Sequence, residues 1–519
     1  MTAATAAPVR PAPHAVRAAP LTAARLLRIE LRRSAMPWIL PLIAALFWFD
    51  SYRPSTAQAP FFILRTFWSM GQGHTIIDFG PFVAGVAAWM GSRDGRRGMA
   101  DLVTGTPRPR WATQLAVWAA TAIWAVAAYL AFVGVMFAVY AGKGVQGTPP
   151  WWWVAVGATA VTAFSAAGFA VGAYFPSRFA APLAAFGGFL AMMLSSQTGF
   201  SHISGWAQIL PTNSNGNFQP DSGMLYPYLP DLPIARIMLV AGLAIAALGL
   251  LGLPAGAGGP RLRRAALAIT LTGVAAAGTA VGLAGTARLT AHGMVIPALH
   301  DAASDQAIRY TPACGRAAGI PVCLSPAYRR YLPEVKAALQ PVLGEVTGLP
   351  GAPARAAQVG AAYSSTDGQA GQAMTIAGDP PVLRMPLGAL QLAGAFGSTA
   401  AEFTDQLKIL AVHALVAPGA GPGTPAQQAV QAALLQGAGI PLAAQPKALS
   451  FLGLPSWAQA NTGGLTGGQE SSSGPGKTTG PVYAAARRLD ALPATTRHAW
   501  LVAHLTDLRA GHLTLALLP

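Results

Sequence analysis

Charged residues are scarce in this sequence. Lys, Arg, Asp and Glu make up 10% of the 519 residues, and hydrophobic residues make up 53%. Soluble domains carry about 25% charged residues. The scarcity argues against a wholly water-soluble protein, and we expect lipid to solvate much of the chain.

Cysteine is almost absent, which excludes a disulfide-scaffold protein. The two cysteines, Cys314 and Cys323, have eight residues between them and lie in the less apolar half of the chain. A disulfide there would fit an oxidising compartment. Two free thiols are the alternative.

Several catalytic and nucleotide-binding motifs are missing. The nearest approach to G-x-x-x-x-G-K-[ST] is SSSGPGKTTG (471–480), where Ser471 stands in place of the first glycine. Neither H-E-x-x-H nor G-x-S-x-G occurs. His413, His498 and His504 lack metal-ligand spacing and are predicted to be structural. The sequence therefore predicts no catalytic residue, metal or cofactor, and gives little support to a degenerate peptidase.

Long apolar runs are abundant, and basic residues are concentrated among them. Residues 1–289 hold 20 Lys and Arg against 7 Asp and Glu, whereas 290–519 hold 14 against 11. Scattering of the basic residues over short loops favours membrane topology over a nucleic-acid surface. The predicted spans, each near the length that crosses a bilayer, are 36–52, 75–91, 111–140, 151–175, 179–197, 234–253 and 265–286.

The basic residues near these spans predict an orientation. Thirteen lie on one side and five on the other, and the positive-inside rule places the larger group in the cytoplasm. The larger group is Arg25, Arg28, Arg32, Arg33, Arg93, Arg96, Arg97, Arg108, Arg110, Arg178, Arg261, Arg263 and Arg264. We therefore expect a multi-pass protein of the cell membrane, with a cytoplasmic N-terminus and an extracytoplasmic C-terminal half. The tryptophans at 151–153 fit an outer aromatic belt.

Two predicted cytoplasmic segments have residue patterns that the positive-inside rule alone does not explain. Residues 21–35 predict an amphipathic helix in the headgroup layer, after a disordered basic tail over 1–20; ordinary positive-inside flanking is the alternative. The stretch SRDGRRGMADLVTGTPRPRW (92–111) contains five arginines and two aspartates. It predicts a short two-faced helix over about 94–106, which Pro107 and the following proline stop.

This order of segments resembles the membrane subunits of type-2 ABC transporters. The likeness covers about 21–255 and includes T-P-x-x-R after the small-residue helix, the turn in GFAVGAYFPSRFAAPLAAFGGFLAMML (168–194), and a loop over 198–233 in the position of an outer re-entrant segment. The family has a six-span core, here 36–255. Its elbow helix corresponds to 21–35 and its coupling helix to about 94–106.

The resemblance implies the permease subunit of an ABC exporter, without catalytic residues of its own. It also implies a separate ATPase subunit and a second permease subunit, in a homodimer or a heterodimer, and no nucleic-acid partner. The residues expected to contact the ATPase are Asp94, Arg96, Arg97, Asp101 and Leu102. A membrane-anchored extracytoplasmic sensor or binding protein is the alternative function.

The chain departs from that family in two ways. The usual acidic residue before the small-residue helix appears only as Asp94, among arginines. A seventh span at 265–286 and a soluble domain at 290–519 follow the six-span unit.

Polar and small residues inside the predicted spans suggest two further features. Asp78 is the one acid near a span interior, either a functional intramembrane group or a residue at the outer boundary. Gly168/Gly172 and Gly278/Gly282 form GxxxG pairs that would let helices approach closely, although coincidence is a rival explanation in a chain with 58 glycines.

The C-terminal half has the mixed pattern of an α+β domain. We predict a helix over 325–351 that Pro333 and Pro341 break into pieces, and helices at 399–416, 424–436, 481–490 and 494–509. Two or three strands are expected, with candidates at 356–363, 374–378 and 382–385. The predicted fold is thus a polytopic helical membrane protein of about six to seven transmembrane helices, followed by an extracytoplasmic α+β domain.

Overall fold

A computed structural model shows a mostly helical chain with a separate region of β-sheet. It describes residues 19–51, 66–98, 109–142, 148–149, 151–201, 204–210, 224–254, 259–360, 373–387, 400–418, 423–445 and 480–519. The predicted tail over 1–20 lies outside these residues, except that the first helix begins at Ala19.

The described part of the N-terminal half is mostly helical, and most of its longer helices are apolar. These are α1 Ala19–Arg33, α2 Met36–Ser51, α3 Thr66–Gly91, α4 Arg93–Arg96, α5 Arg110–Gly142, α6 Trp151–Tyr174, α7 Ala180–Ser201, α8 Gly205–Gln208, α9 Asp231–Leu250 and α10 Pro260–Gly285. Each predicted span falls on one of them. The predicted interfacial helix over 21–35 corresponds to α1, which ends two residues earlier.

Four stretches of these helices are long and apolar enough to cross a bilayer: Arg110–Val135, Trp151–Tyr174, Asp231–Leu250 and Pro260–Gly285. The described parts of α2, α3 and α7 contain shorter apolar helices. Helical structure is therefore confirmed at all the predicted spans, while the number that cross the membrane remains a prediction.

The two GxxxG pairs differ in what they meet. Gly168 and Gly172 on α6 lie against the backbone carbonyls of Ala84 and Ala88 on α3, so close that a Cβ at either glycine would collide with them. Small residues let helix backbones approach in this way. By contrast, Gly278 and Gly282 on α10 meet nothing within 4 Å among the described residues.

The C-terminal domain contains a five-stranded mixed sheet and a separate two-stranded hairpin. The strands are β1 Arg288–Thr290, β2 Gly293–Val295, β3 Ala313–Ala317, β4 Ile320–Leu324, β5 Arg355–Gln358, β6 Thr375–Ala377 and β7 Val382–Met385. The larger sheet has the order β3-β4-β5-β7-β6, with parallel pairs β4–β5 and β5–β7 and antiparallel edges. The three predicted strand positions are confirmed as β5, β6 and β7, although the predicted number of strands was too low.

A two-residue turn explains part of that shortfall. Ala318 and Gly319 join β3 to β4, and both have positive φ, 50° and 82°. Positive φ at both central residues defines the tight hairpin turn that matches strand twist. Because an alanine stands where Asn or Asp is usual, the sequence concealed the turn.

In the described part of the C-terminal domain, five helices and the sheet enclose the core. The helices are α11 Leu332–Val346, α12 Ala400–Val416, α13 Pro425–Gly437, α14 Pro481–Asp490 and α15 Ala494–Arg509. The last four match the predicted helices closely. Short 3₁₀ turns lie at Ala302–Asp305, Pro326–Tyr331 and Leu515–Leu517.

Pro341 lies inside α11 and does not break it, contrary to the prediction. A proline within a helix costs about 3 kcal/mol. Here the helix buries one continuous apolar face against the sheet and its neighbours, and that burial outweighs the loss. The face consists of Val335, Ala338, Leu339, Val342, Leu343 and Val346.

The two cysteines form a disulfide, which decides between the alternatives left by the sequence. Cys314 on β3 and Cys323 on β4 are direct cross-strand partners and are bonded to each other. The bond joins the two strands at one edge of the sheet.

Candidate functional site

The short segment after α3 is rich in charged residues and contacts several neighbouring helices. We call residues 92–98 the connector; it contains α4 and follows the last turn of α3. Ser92 is buried and continues the helix, since its N–H donates to the carbonyl of Ala88 at 3.0 Å. The connector is therefore an ordered extension of α3.

Arg93 joins the connector to α1. Its guanidinium donates to both carboxylate oxygens of Glu30, from Nη1 to Oε2 at 2.9 Å and from Nη2 to Oε1 at 3.2 Å. Glu30 is 5% exposed. Paired bonds of this kind fix geometry as well as charge, so α1 and the connector are held in one arrangement.

Arg96 folds back onto α3. Its guanidinium lies over the ring of Trp89, 3.3 Å from the centroid, and Nη2 donates to the Trp89 carbonyl at 2.8 Å. The cation–π contact and the hydrogen bond together hold the guanidinium of Arg96 against Trp89. Arg96 therefore has less freedom to reach a partner than the sequence indicated.

Of the predicted contact residues within the described ranges, Arg97 is the one that is exposed. It follows the last residue of α4, and Gly98 after it takes a left-handed conformation with φ of 63°. Asp94 is partly exposed and lies 3.5 Å from Arg93 Nε through its Oδ1. Asp101 and Leu102, with the remainder of the predicted helix over 94–106, lie outside the described residues.

The connector also packs on the turn between α6 and α7. Gly95 lies so close to Pro176 that a Cβ would overlap the proline ring. Further along α5, near the middle of that helix, Trp124 Nε1 donates to the carbonyl of Leu31 on α1 at 3.0 Å. Trp111 Nε1, at the start of α5, donates to the carbonyl of Leu248 on α9, also at 3.0 Å. The last residues of α3 also pack with Trp111, Ala173 and Leu248 in one apolar cluster. The connector, the start of α5, the turn between α6 and α7, and the end of α9 therefore lie on one side.

Local interactions set the electrostatics of the connector. The hydrogen bond that Arg93 donates to Glu30 raises the pKa of Arg93 above its ordinary value, and the charges of Glu30 and Asp94 act in the same direction. Burial lowers the pKa of Arg96, with a smaller contribution from the charge of Arg97. The connector therefore contains one arginine paired with a carboxylate, Arg93, one packed on an indole ring, Arg96, and one exposed arginine, Arg97.

Asp78 lies near the middle of α3, whose first residue is Thr66, well before the predicted start of the span at 75. Its side chain lies outside what the structure describes.

The three histidines considered in the sequence, His413, His498 and His504, make contacts inside the C-terminal domain. His413 is buried, with Nδ1 3.5 Å from Gln431 Oε1. His498 Nδ1 lies 3.1 Å from the Glu345 carbonyl oxygen, and His504 stacks on Trp500. These contacts explain the three histidines by packing. Over the described residues, no group of three or more His, Cys, Asp or Glu side chains could hold a metal ion.

Sequence reasoning missed Glu30 and Trp89. Glu30 is the first acidic residue in the chain and lies in an arginine-rich helix, which was a usable indication of a specific partner. Its partner, Arg93, is 63 residues away, and nothing in the local pattern connects the two.

No family model, curated protein or solved structure matches this chain.

Proposed function

We propose that the chain is the permease subunit of an ABC exporter, driven by ATP hydrolysis on a separate ATPase subunit. The observation that carries the proposal is the braced connector. It combines an exposed arginine, Arg97, with ties to α1 through Glu30 and to the α6–α7 turn through Pro176. A segment held in this way can receive a partner and pass its movement to several helices.

A surface loop that merely followed the positive-inside rule would need none of these ties. Exposed ion pairs contribute about 0–1 kcal/mol, so loops seldom depend on them. The Arg93–Glu30 pair is largely withdrawn from water, with side-chain exposures of 21% and 6%. Its burial supports a mechanical role for the connector and α1.

The proposed topology places the connector in the cytoplasm and the C-terminal domain outside, with seven spans in the cell membrane. The cluster of helix ends around the connector supports it. These ends carry Arg178 and the arginines from 93 to 97, and the bond between Trp111 and Leu248 brings α9, which precedes Arg261, to the same side. One basic side for the molecule is what the positive-inside rule requires.

The cargo class follows from the spans. They are rich in Ala, Gly, Val and Leu and carry little charge, so a hydrophobic or amphiphilic substrate suits them better than an ion. We propose a second permease subunit as the other half of the transport path.

Co-purification tests the proposal. The chain is tagged, extracted from its native membrane in mild detergent, and its partners are identified by mass spectrometry. We expect a soluble protein with a complete G-x-x-x-x-G-K-[ST] motif in stoichiometric amount. Recovery of the chain with no such protein would contradict the proposal and favour the sensor function.

A further inference from the structure

A buried carboxylate lies where the C-terminal domain meets the apolar helices. Asp231 is the first residue of α9 and is 0% exposed. Its Oδ2 accepts a hydrogen bond from the backbone N–H of Ile296 at 2.9 Å and lies 3.2 Å from His300 Nδ1. Since residue 296 directly follows β2, the carboxylate ties the entry of the C-terminal domain to α9.

His300 links this carboxylate to a second one. Its Nε2 lies 3.0 Å from Asp305 Oδ2, in the 3₁₀ turn Ala302–Asp305. A neutral imidazole has one N–H and one bare nitrogen, whereas the protonated ring has two donors. With a carboxylate oxygen at each nitrogen, only the charged ring donates to both. In the neutral ring, one nitrogen lone pair would face a carboxylate oxygen.

Other charged and titratable residues of the neighbouring elements have contacts of their own. Arg236 Nε donates to the Gln208 carbonyl at 2.7 Å, and its guanidinium lies over the Trp153 ring. Asp301 accepts from the Ala303 N–H at 3.0 Å, and the His292 ring contacts the Tyr226 ring at 37° to it, with centroids 4.3 Å apart. The solvent-exposed residues Arg288 on β1 and Arg309 beyond the 3₁₀ turn complete the charges of the neighbouring elements.

The segment held by these bonds also packs on α9. Ile296 is 0% exposed and belongs to one apolar cluster with Leu232, Ala235 and Leu239 of α9. The Ile308 N–H also donates to the Leu225 carbonyl, just before α9, at 2.8 Å. The hydrogen bonds of Asp231 are therefore among several contacts that attach the C-terminal domain to the helix, and they include a titratable ring.

We propose that Asp231, His300 and Asp305 form a pH-dependent clamp, which fastens residues 293–305 to the first turn of α9 when the imidazole is protonated and loosens when it is neutral. The clamp gives the molecule a response to the acidity of the compartment that holds the C-terminal domain. It does not require a partner ATPase.

The sign of the response follows from the pKa of His300. The hydrogen bond to Asp305, aided by the charges of Asp231 and Asp305, raises this pKa above its ordinary value of 6.5 despite opposing desolvation. A raised folded-state pKa means that the stabilisation is fully present below the unfolded value and is lost as the pH rises through the folded value. The clamp therefore closes in acid and opens in alkali.

Hydrogen exchange of the full-length protein in lipid nanodiscs tests the clamp. Amide protection of peptides covering 293–305 is measured between about pH 6 and about pH 9 and corrected for the intrinsic exchange rate. We expect protection of the wild-type segment to fall several-fold as the pH rises. In His300→Gln, which does not titrate, this fall should disappear.

Two further variants separate titration from misfolding. Asp305→Asn removes a partly exposed carboxylate and should move the fall in protection to lower pH. His512→Gln changes a histidine that is 73% exposed beside Asp507 and should leave the pH profile unchanged. Flat wild-type protection, a wild-type profile in His300→Gln, or an unmoved midpoint in Asp305→Asn would overturn the clamp.

Discussion

Glu30 gives one of the three arginines of the connector a buried carboxylate partner. The sequence directs attention to the arginines at 93, 96 and 97, which share a loop and a charge. In the fold they have three different environments: a carboxylate pair, an indole face and open solvent. Arg97 is thereby the residue most available to a partner.

Replacing Glu30 tests whether its ion pair with Arg93 stabilises the fold. Glu30→Gln removes the charge that Arg93 pairs with and leaves a largely buried guanidinium without its carboxylate. We expect a loss of about 1–3 kcal/mol in the free energy of unfolding, since such groups cost that much when unsatisfied. The measurement is unfolding in detergent, followed by the tryptophan fluorescence of the chain, to which Trp124 beside α1 contributes.

The matched control is Arg97→Gln, which alters a charge in the same connector that makes no bond to Glu30. It should leave the unfolding transition in place. Equal stability of Glu30→Gln and the wild type would show that the pair has no structural role.

Part of the candidate site could be predicted from residue types and part could not. The basic connector, its helical turn and its boundary at the end of α3 follow from composition and punctuation. The pairing of Arg93 with Glu30, and of His300 with Asp231, depends on contacts 63 and 69 residues apart in sequence. Local patterns carry no information on such pairs, which tertiary packing determines.

At the scale of elements, the apolar helices were the most predictable part of the fold. A run of apolar residues near bilayer length gives helix whatever its neighbours do, because an unpaired backbone cannot face lipid. Short strands such as β3 and β4 depend instead on their pairing partners and on a two-residue turn. Periodicity over five residues was too weak to reveal them.

The contact between α3 and α6 gives a prediction at this scale. Gly168→Ala places a Cβ against the carbonyl of Ala84, so the two helices must separate or bend. Overpacking of this kind costs about 1–3 kcal/mol. A lower midpoint of thermal unfolding in detergent is the expected result.

Gly278→Ala is the matched control, because this glycine lies on α10 with open space around it in the described structure. There the alanine should be neutral or slightly stabilising through its better helix propensity. If both variants behave alike, the glycines of α6 are not packing residues.

For the whole molecule, the central structural question is the side of the membrane on which each half lies. The apolar half and the C-terminal domain each have buried apolar clusters of their own, and Asp231 lies at their junction. The basic residues predict that the connector and the C-terminal domain face opposite compartments.

Labelling of single cysteines tests this arrangement. In right-side-out membrane vesicles, a membrane-impermeant maleimide should label His512→Cys, whose side chain is 73% exposed in the native chain, and should label Arg97→Cys only after the vesicles are opened. The native cysteines are bonded to each other and do not compete. Labelling of both positions in intact vesicles would contradict the proposed topology.

The most direct test of the account is partner capture by the connector. The tagged wild type, Arg97→Glu and Arg264→Glu are purified in parallel, and the amount of bound ATPase is compared at equal amounts of chain. Arg264 is an exposed arginine at the start of α10 and serves as a control for charge alone. We predict that the ATPase remains with the wild type and Arg264→Glu and is lost from Arg97→Glu. Equal recovery from all three, or from none, would contradict the account.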